Sequence, residues 1–140
     1  MSAIDGGSGG SITPVGIVLV SHSPELASGL RDLLAQLCAG LVPVAVAGGT
    51  DDGRLGTSYA LIAGAVAEAD RGAGVLVLPD LGSSVLTARM VLEDLERQDV
   101  VLADAPFVEG AVAAAVLAST GAALAEVLAT ALDARLMPKF

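Results

Sequence analysis

Short apolar runs alternate along this chain with segments whose leucines and alanines recur at helical spacing. The runs are rich in β-branched residues, which favour strands. We predict strands at residues 15–20, 42–47, 74–78 and 100–103. Apolar positions three, four and seven residues apart predict helices at 24–37, 58–69 and 84–97, and one or two more over 108–119 and 121–135, with Gly121 as a break.

The predicted strands are apolar throughout and do not alternate between apolar and polar residues. Strands of this kind are typically covered on both faces, as in parallel sheets. A helix follows each strand, so right-handed β–α–β units are expected. The pattern therefore predicts an α/β fold, an open doubly wound parallel sheet with helices on both faces, over a single domain at 14–140. Residues 1–13 are expected to be a flexible leader because they are rich in glycine and serine.

The composition argues against several classes of function. A net charge of −9, a single lysine and an aromatic content of 2% do not suit a nucleic-acid-binding surface. The acidic charge either steers the chain toward a basic partner protein or simply keeps it soluble. No apolar run approaches the roughly 18 residues of a membrane span, and no signal peptide is apparent. The single cysteine, Cys38, excludes an internal disulfide, so we expect a cytoplasmic protein.

Polar residues collect after the ends of the predicted strands, on an edge of the sheet that we call the rim. Active groups of such sheets lie there. His22, the only histidine, follows the first strand, and Ser23, Pro24 and Glu25 suit the start of a helix. Amides and the dipole at a helix start favour an anion, so a phosphoryl group on this imidazole would be stabilised. The alternative is a histidine that makes a structural contact in a turn.

Asp80 ends the third strand, which should lie beside the first. A carboxylate at this place could bind one ring nitrogen of His22 and leave the other nitrogen free to attack a phosphoryl group. Asp80 could also cap the helix that follows it, a role that Ser83 or Ser84 could share.

Two glycine-containing segments flank an acidic turn after the second strand, Gly-Gly-Thr at 48–50 and Gly-Thr-Ser at 56–58. Glycines allow a ligand to approach the backbone closely, and the hydroxyls can donate hydrogen bonds to phosphate oxygens. The plainer interpretation, which we prefer on these residues alone, is a turn followed by a capped helix.

Motifs for other chemistries are missing from the sequence. It has no P-loop, no G-x-G-x-x-G after a strand and no G-x-S-x-G elbow. One histidine and one cysteine do not make an ordinary zinc site. A Ser–His–Asp hydrolase built from Ser21 or Ser23 with His22 and Asp80 is conceivable, but adjacent side chains diverge from a strand.

Five segments of the chain form a characteristic ordered set. They are V-L-V-S-H-S at 18–23, G-G-T at 48–50, G-T-S at 56–58, D-L-G-S at 80–83 and A-P-F-V-E-G-A at 105–111. In these segments the chain resembles the phosphotransfer subunit of bacterial phosphoenolpyruvate-dependent dihydroxyacetone kinase, which belongs to the mannose-type enzyme IIA family of the phosphotransferase system. The resemblance covers about residues 14–135, and the last segment favours the kinase branch over the sugar-transport branch.

The resemblance implies a phosphotransferase with a phosphohistidine intermediate. His22 corresponds to the family's phosphorylated histidine, and Asp80 corresponds to the carboxylate beside it. The phosphoryl group would come from the phosphocarrier HPr, charged by enzyme I, and would pass to ADP held by the nucleotide-binding subunit of the kinase. This chain would itself bind no cofactor. Family members form homodimers, and some carry fused donor domains. Because the chain ends at Phe140, separate donor proteins are expected.

We therefore predict a phosphocarrier in which His22 attacks a phosphoryl donor. The amides that follow His22 and the hydroxyls of Ser23, Thr50 and Ser83 are the candidates to hold the phosphoryl oxygens. The rim has no lysine and no arginine cluster, so we expect the partner to supply positive charge. The alternatives are an enzyme IIA of a mannose-type sugar transporter and a non-catalytic module that binds an anion or a protein.

Overall fold

The computed structural model describes residues 13–140, so the predicted leader, apart from its last position, lies outside the described residues. Strands and helices alternate along the chain. The strands are β1 (Gly16–Ser21), β2 (Val44–Gly48), β3 (Val75–Pro79) and β4 (Val100–Leu102). The helices are α1 (Pro24–Leu37), α2 (Tyr59–Ala69), α3 (Gly82–Leu95), α4 (Phe107–Ala118) and α5 (Leu124–Asp133), and the 3₁₀ turn Ala134–Leu136 follows α5.

Every predicted element is present, and the backbone explains the shifted end of α3. Helix α3 ends at Leu95 because Glu96 takes a left-handed conformation, with φ 52°, which stops the helix two residues before the predicted end. The break at Gly121 is confirmed, since this residue has φ 84° and separates α4 from α5.

The four strands form one parallel sheet in the order β2–β1–β3–β4. The predicted α/β architecture is therefore confirmed, and so is the prediction that β3 lies beside β1. Val20 pairs with Pro79 in the register of these two central strands. The residues that follow them, at 21–22 and at 80, consequently emerge side by side at the middle of the rim.

Two separate apolar clusters cover the two faces of the sheet. Ile17 and Leu19 of β1 face the cluster formed with α1, α4 and α5. Val18 and Val20 face the cluster formed with α2 and α3. All residues of β1 and β3 are buried, whereas the edge strands β2 and β4 are half-buried. The two central strands are thus covered on both faces, as predicted, whereas the equally apolar edge strands are only half-buried.

Within residues 13–140, no helix is both long enough and apolar enough to cross a membrane.

Candidate functional site

The turn between β1 and α1 carries His22, and hydrogen bonds within the turn satisfy most amides at the start of α1. Ser23 has extended backbone angles, and its hydroxyl accepts a hydrogen bond from the Leu26 amide, with an N···O distance of 3.2 Å. Pro24 occupies the first helical turn and contributes no N–H. The Ser23 amide donates to the Ser21 hydroxyl at 3.0 Å. The amides that were predicted to hold a phosphoryl group after His22 are thus largely occupied by the chain itself.

Asp80, at the end of β3, accepts hydrogen bonds on both carboxylate oxygens. Its Oδ2 accepts from the Ser21 hydroxyl at 2.9 Å and from the His22 amide at 3.1 Å. Its Oδ1 lies 2.9 Å from His22 Nδ1, and it accepts from the Ser84 hydroxyl at 2.8 Å and the Leu81 amide at 2.7 Å. The carboxylate is therefore fixed in orientation.

These contacts determine the charge of Asp80. Burial by itself raises the pKa of this carboxyl, but the hydrogen bonds from Ser84, from the His22 ring and amide, and from Ser21 outweigh burial and lower the pKa to about 2. Asp80 is consequently ionised near neutral pH, and an ionised carboxylate can only accept hydrogen bonds.

The charge of Asp80 fixes the roles of the two ring nitrogens of His22. Because Asp80 cannot donate, Nδ1 must carry the hydrogen that joins the ring to Oδ1. In the neutral ring the lone pair is then on Nε2, which contacts the hydroxyl of Ser83. The His22 side chain is 27% exposed and that of Asp80 is 8% exposed, so the ring, with Nε2 beside an exposed serine, is open to a reaction partner.

Helix α3 begins beside this ring and differs from α1 in how its start is satisfied. Its N-cap residue is Leu81, and within the described part of the chain no side chain caps it. The alternative that Asp80, Ser83 or Ser84 caps α3 is therefore wrong. The Ser83 hydroxyl contacts Nε2 of His22 and the Ser84 hydroxyl donates to Asp80, while of the amides at the start of α3 described here Asp80 accepts only that of the N-cap residue Leu81. The first-turn amides of α3 remain available to an anion near Nε2.

The loop between β2 and α2 packs against the start of α1. The Gly56 amide donates to the His22 carbonyl at 3.0 Å. A Cβ on Gly48 would lie 2.6 Å from the Cα of Pro24, so this glycine serves contact with α1. The hydroxyl of Thr50 is occupied by Asp52 and by the main chain of Arg54, and Ser58 caps α2. These contacts match the interpretation as a turn followed by a capped helix.

Of the five predicted site residues, the structure joins His22, Asp80 and Ser83 in one hydrogen-bonded group, while the hydroxyls of Ser23 and Thr50 bond elsewhere.

Three further residues belong near the site. Ser21 and Ser84 are fully buried against Asp80, and Arg89 shares with Asp80 a cleft of about 360 Å³. A serine directly before the histidine was the available signal for Ser21. Arg89 carries no such signal in the sequence, because its place at the cleft depends on how α3 packs against the sheet.

The structure also bears on the hydrolase alternative. The Ser21 hydroxyl donates to Asp80 and the Ser23 hydroxyl caps α1, so neither hydroxyl bonds to the His22 ring as the nucleophile of a hydrolase would. The serine that does contact Nε2 is Ser83, which gives the order Ser83–His22–Asp80.

Among residues 13–140, no cluster of three or more histidine, cysteine or acidic side chains could hold a metal ion.

Comparison with protein families gives one match over most of the chain. The profile described as "PTS system fructose IIA component", of the mannose-type enzyme IIA class, matches residues 16–128. The matched region begins with β1 and includes α5 as far as Leu128, so it contains His22, Asp80 and all four strands.

Curated relatives carry names that describe phosphoryl donors. The chain is 38% identical over 105 residues to "PEP-dependent dihydroxyacetone kinase 2, phosphoryl donor subunit DhaM" of Listeria innocua, covering 73% of this chain and 84% of that protein. It is 36% identical to "PTS-dependent dihydroxyacetone kinase, phosphotransferase subunit DhaM" of Lactococcus lactis, over 76% of this chain and 85% of that one. The Escherichia coli DhaM is 39% identical, but this chain spans only 27% of its length.

A solved structure has the same fold. The crystal structure of a protein of unknown function, EF1359, superposes with a TM-score of 0.75 at 33% sequence identity, covering 86% of this chain and 95% of that one.

Proposed function

The chain belongs to the PTS system fructose IIA component family, and we propose that it is the phosphoryl donor subunit of a dihydroxyacetone kinase that uses phosphoenolpyruvate, with His22 as the phosphorylated residue. The observation that carries the proposal is the contact between Asp80 and Nδ1 of His22, which leaves Nε2 as the nucleophilic atom at the rim. The nearest alternative within the family is an enzyme IIA that donates to a sugar transporter.

The proposed step forms a bond between Nε2 and phosphorus while the bond from phosphorus to the donor breaks. Nδ1 keeps its hydrogen, so the ring becomes positively charged once Nε2 is phosphorylated. The carboxylate of Asp80, 2.9 Å from Nδ1, balances that charge as it develops. In the next step the bond from Nε2 to phosphorus breaks, the phosphoryl group passes to an acceptor oxygen, and the ring returns to neutral.

The start of α3 is the proposed binding site for the phosphoryl oxygens. The Ser83 hydroxyl, which contacts Nε2 in the free protein, would turn to donate to a phosphoryl oxygen, and the uncapped first-turn amides of α3 would donate beside it. Ser23 and Thr50 stay in the proposal only as secondary candidates, because each hydroxyl would first have to leave its present partner.

The donor and acceptor are the finer part of the proposal. We take HPr as the donor, ADP on the nucleotide-binding subunit of the kinase as the acceptor, and a homodimer acting in the cytoplasm as the form of this chain. The net charge of −9 favours partners that present basic residues around the transferred group. This chain is proposed to hold no cofactor of its own.

Phosphate transfer from labelled phosphoenolpyruvate, through enzyme I and HPr, tests the proposal. We expect one acid-labile phosphate per chain, mapped to His22, and at least a 10²-fold loss of labelling in His22→Ala, because no second histidine can replace it. Undiminished labelling of the variant would refute the assignment. Adding either the kinase subunit with ADP or a transporter IIB component then separates the two branches by which one removes the label.

The group Ser83–His22–Asp80 supports one other function, a serine hydrolase. A fluorophosphonate probe distinguishes the two, because it modifies an activated serine and leaves a phosphocarrier histidine unmodified. Stoichiometric labelling of Ser83, lost in His22→Ala, would favour the hydrolase.

A further inference from the structure

Ser21 is fully buried at the end of β1, and its hydroxyl uses both of its hydrogen-bonding functions. It donates to Oδ2 of Asp80 at 2.9 Å and accepts from the Ser23 amide at 3.0 Å. The hydroxyl thus connects β1, the end of β3 and the start of α1, the three segments that surround His22. From this geometry we infer that Ser21 is a positioning residue for phosphoryl transfer, acting on the His22 ring through Asp80.

The two oxygens of Asp80 have separate tasks. Oδ1 faces the ring and has three donors, which are His22 Nδ1, the Ser84 hydroxyl and the Leu81 amide. Among the residues that the structure describes, Oδ2 has two donors, the Ser21 hydroxyl and the His22 amide. Loss of Ser84 leaves Oδ1 with two donors, whereas loss of Ser21 leaves Oδ2 with a single main-chain donor at 3.1 Å. The orientation of the carboxylate therefore depends more on Ser21.

A carboxylate held less tightly about its last torsion keeps Nδ1–H less well in one direction. Asp80 stays ionised without Ser21, because the donors on Oδ1 remain. Nε2 of the His22 ring is then less often aimed at the phosphoryl donor, while the charge of Asp80 is unchanged. Outer-shell groups that orient the ligands of a metal contribute about 10- to 100-fold in affinity or activity, and we expect the lower end of that range for Ser21.

This inference rests on the proposed function, and Ser21→Ala tests it in the full chain. With HPr as donor, we expect the maximal rate of His22 phosphorylation to fall about tenfold. The HPr concentration that gives half that rate should stay within about twofold, because Ser21 is buried and cannot touch a partner. Ser21→Cys, which keeps a donor at the same place but is somewhat larger and donates more weakly, should give an intermediate rate.

Ser58 provides a matched control. It is also buried, its hydroxyl donates to an aspartate, Asp51, and it accepts from a helix-start amide, that of Leu61, at 3.1 Å. Ser58→Ala removes the same kind of group from the start of α2 and should leave the rate within about twofold. An equal loss in both variants, a wild-type rate in Ser21→Ala, or a change confined to half-saturation would each overturn the inference.

Nitrogen-15 NMR of the ring gives a readout that needs no phosphoryl donor, and His22 is the only histidine. We expect the Nδ1–H signal to exchange faster with water in Ser21→Ala than in the wild type or Ser58→Ala. Unchanged exchange would overturn the inference even if the wild type took up no phosphate. Absence of uptake by the wild type would instead count against the proposed function.

Discussion

The starts of α1 and α3 lie on either side of His22, and they treat their free amides in opposite ways. At α1, Ser23 stands before the helix with extended backbone angles, so its hydroxyl turns back and caps the Leu26 amide. At α3, Ser83 is already inside the first turn, where a side chain points outward, and its hydroxyl reaches Nε2. A difference of one or two residues in the position of a serine decides whether it stabilises a helix or faces the reacting atom.

This difference separates the two tasks of the site. The turn before α1 presents the nucleophile and holds it in a closed, internally satisfied structure. The turn before α3 presents the charge of Asp80, the Ser83 hydroxyl that contacts Nε2, and the uncapped amides of the helix start. Substitutions of the residues that begin α3 should therefore change transfer, whereas loss of the Ser23 cap of α1 should mainly change stability.

Asp80→Asn should have the largest effect on the α3 side. An asparagine amide can donate to Nδ1, which places the ring hydrogen on Nε2 and removes the lone pair that attacks phosphorus. The negative charge that balances the phosphorylated ring is lost as well. We expect the phosphorylation rate to fall about 10²-fold, measured by rapid quench with phosphorylated HPr.

Asp104→Asn is the matched control for that variant. Asp104 is a carboxylate at the β4 end of the same rim, and its side chain is 93% exposed. Its neutralisation should change the rate by less than about twofold. Equal rates for Asp80→Asn and the wild type would remove Asp80 from the mechanism.

The free energy of unfolding should depend on pH in acid through Asp80, which precedes α3. The pKa of Asp80 is about 2 in the folded chain and 3.8 as its ordinary value, so the ionised form stabilises the fold. That stabilisation, about 2 kcal/mol, is complete above about pH 5 and is lost as the pH falls through the folded pKa. The Asp80 side chain is only 8% exposed, so solvent screens the effect little.

The measurement is urea unfolding of the wild type and Asp80→Asn at pH 5 and at pH 2.5. The difference in unfolding free energy between the two proteins should shrink by roughly 1.5 kcal/mol at the lower pH. A constant difference would mean that Asp80 does not titrate near pH 2.

The fold was predictable because its signals are local. The uniformly apolar strands indicated a parallel sheet, and the end of β3 was correctly expected beside β1. From that adjacency alone, Asp80 could be proposed as the partner of His22. Boundaries were predicted less closely: α3 begins at Gly82 and not at Ser84, because no side chain among the described residues caps its start and so none marks it in the sequence.

The rest of the site was not predictable, because it depends on which way individual hydroxyls point. The residue types at the start of α1 suggested an anion site there, yet the same residues cap that helix so well that few donors remain. The three serines around Asp80 differ only in backbone position, and sequence does not distinguish a buried hydroxyl on Oδ2 from an exposed one on Nε2. Rotamers and register decide between them.

The sharpest test of the comparison pairs Ser83→Ala with Ser23→Ala. Loss of the Ser83 hydroxyl removes one donor to the phosphoryl group, and we expect about a tenfold slower transfer with little change in stability, because this serine is exposed and caps nothing. Loss of the Ser23 hydroxyl removes the cap of α1 and should lower the unfolding free energy by about 1 kcal/mol. Its transfer rate should stay within about twofold of the wild type. If Ser23→Ala slowed transfer as much as Ser83→Ala, the phosphoryl group would be held by α1 after all, because a cap that mattered only for stability could not affect the reaction of a fully folded protein.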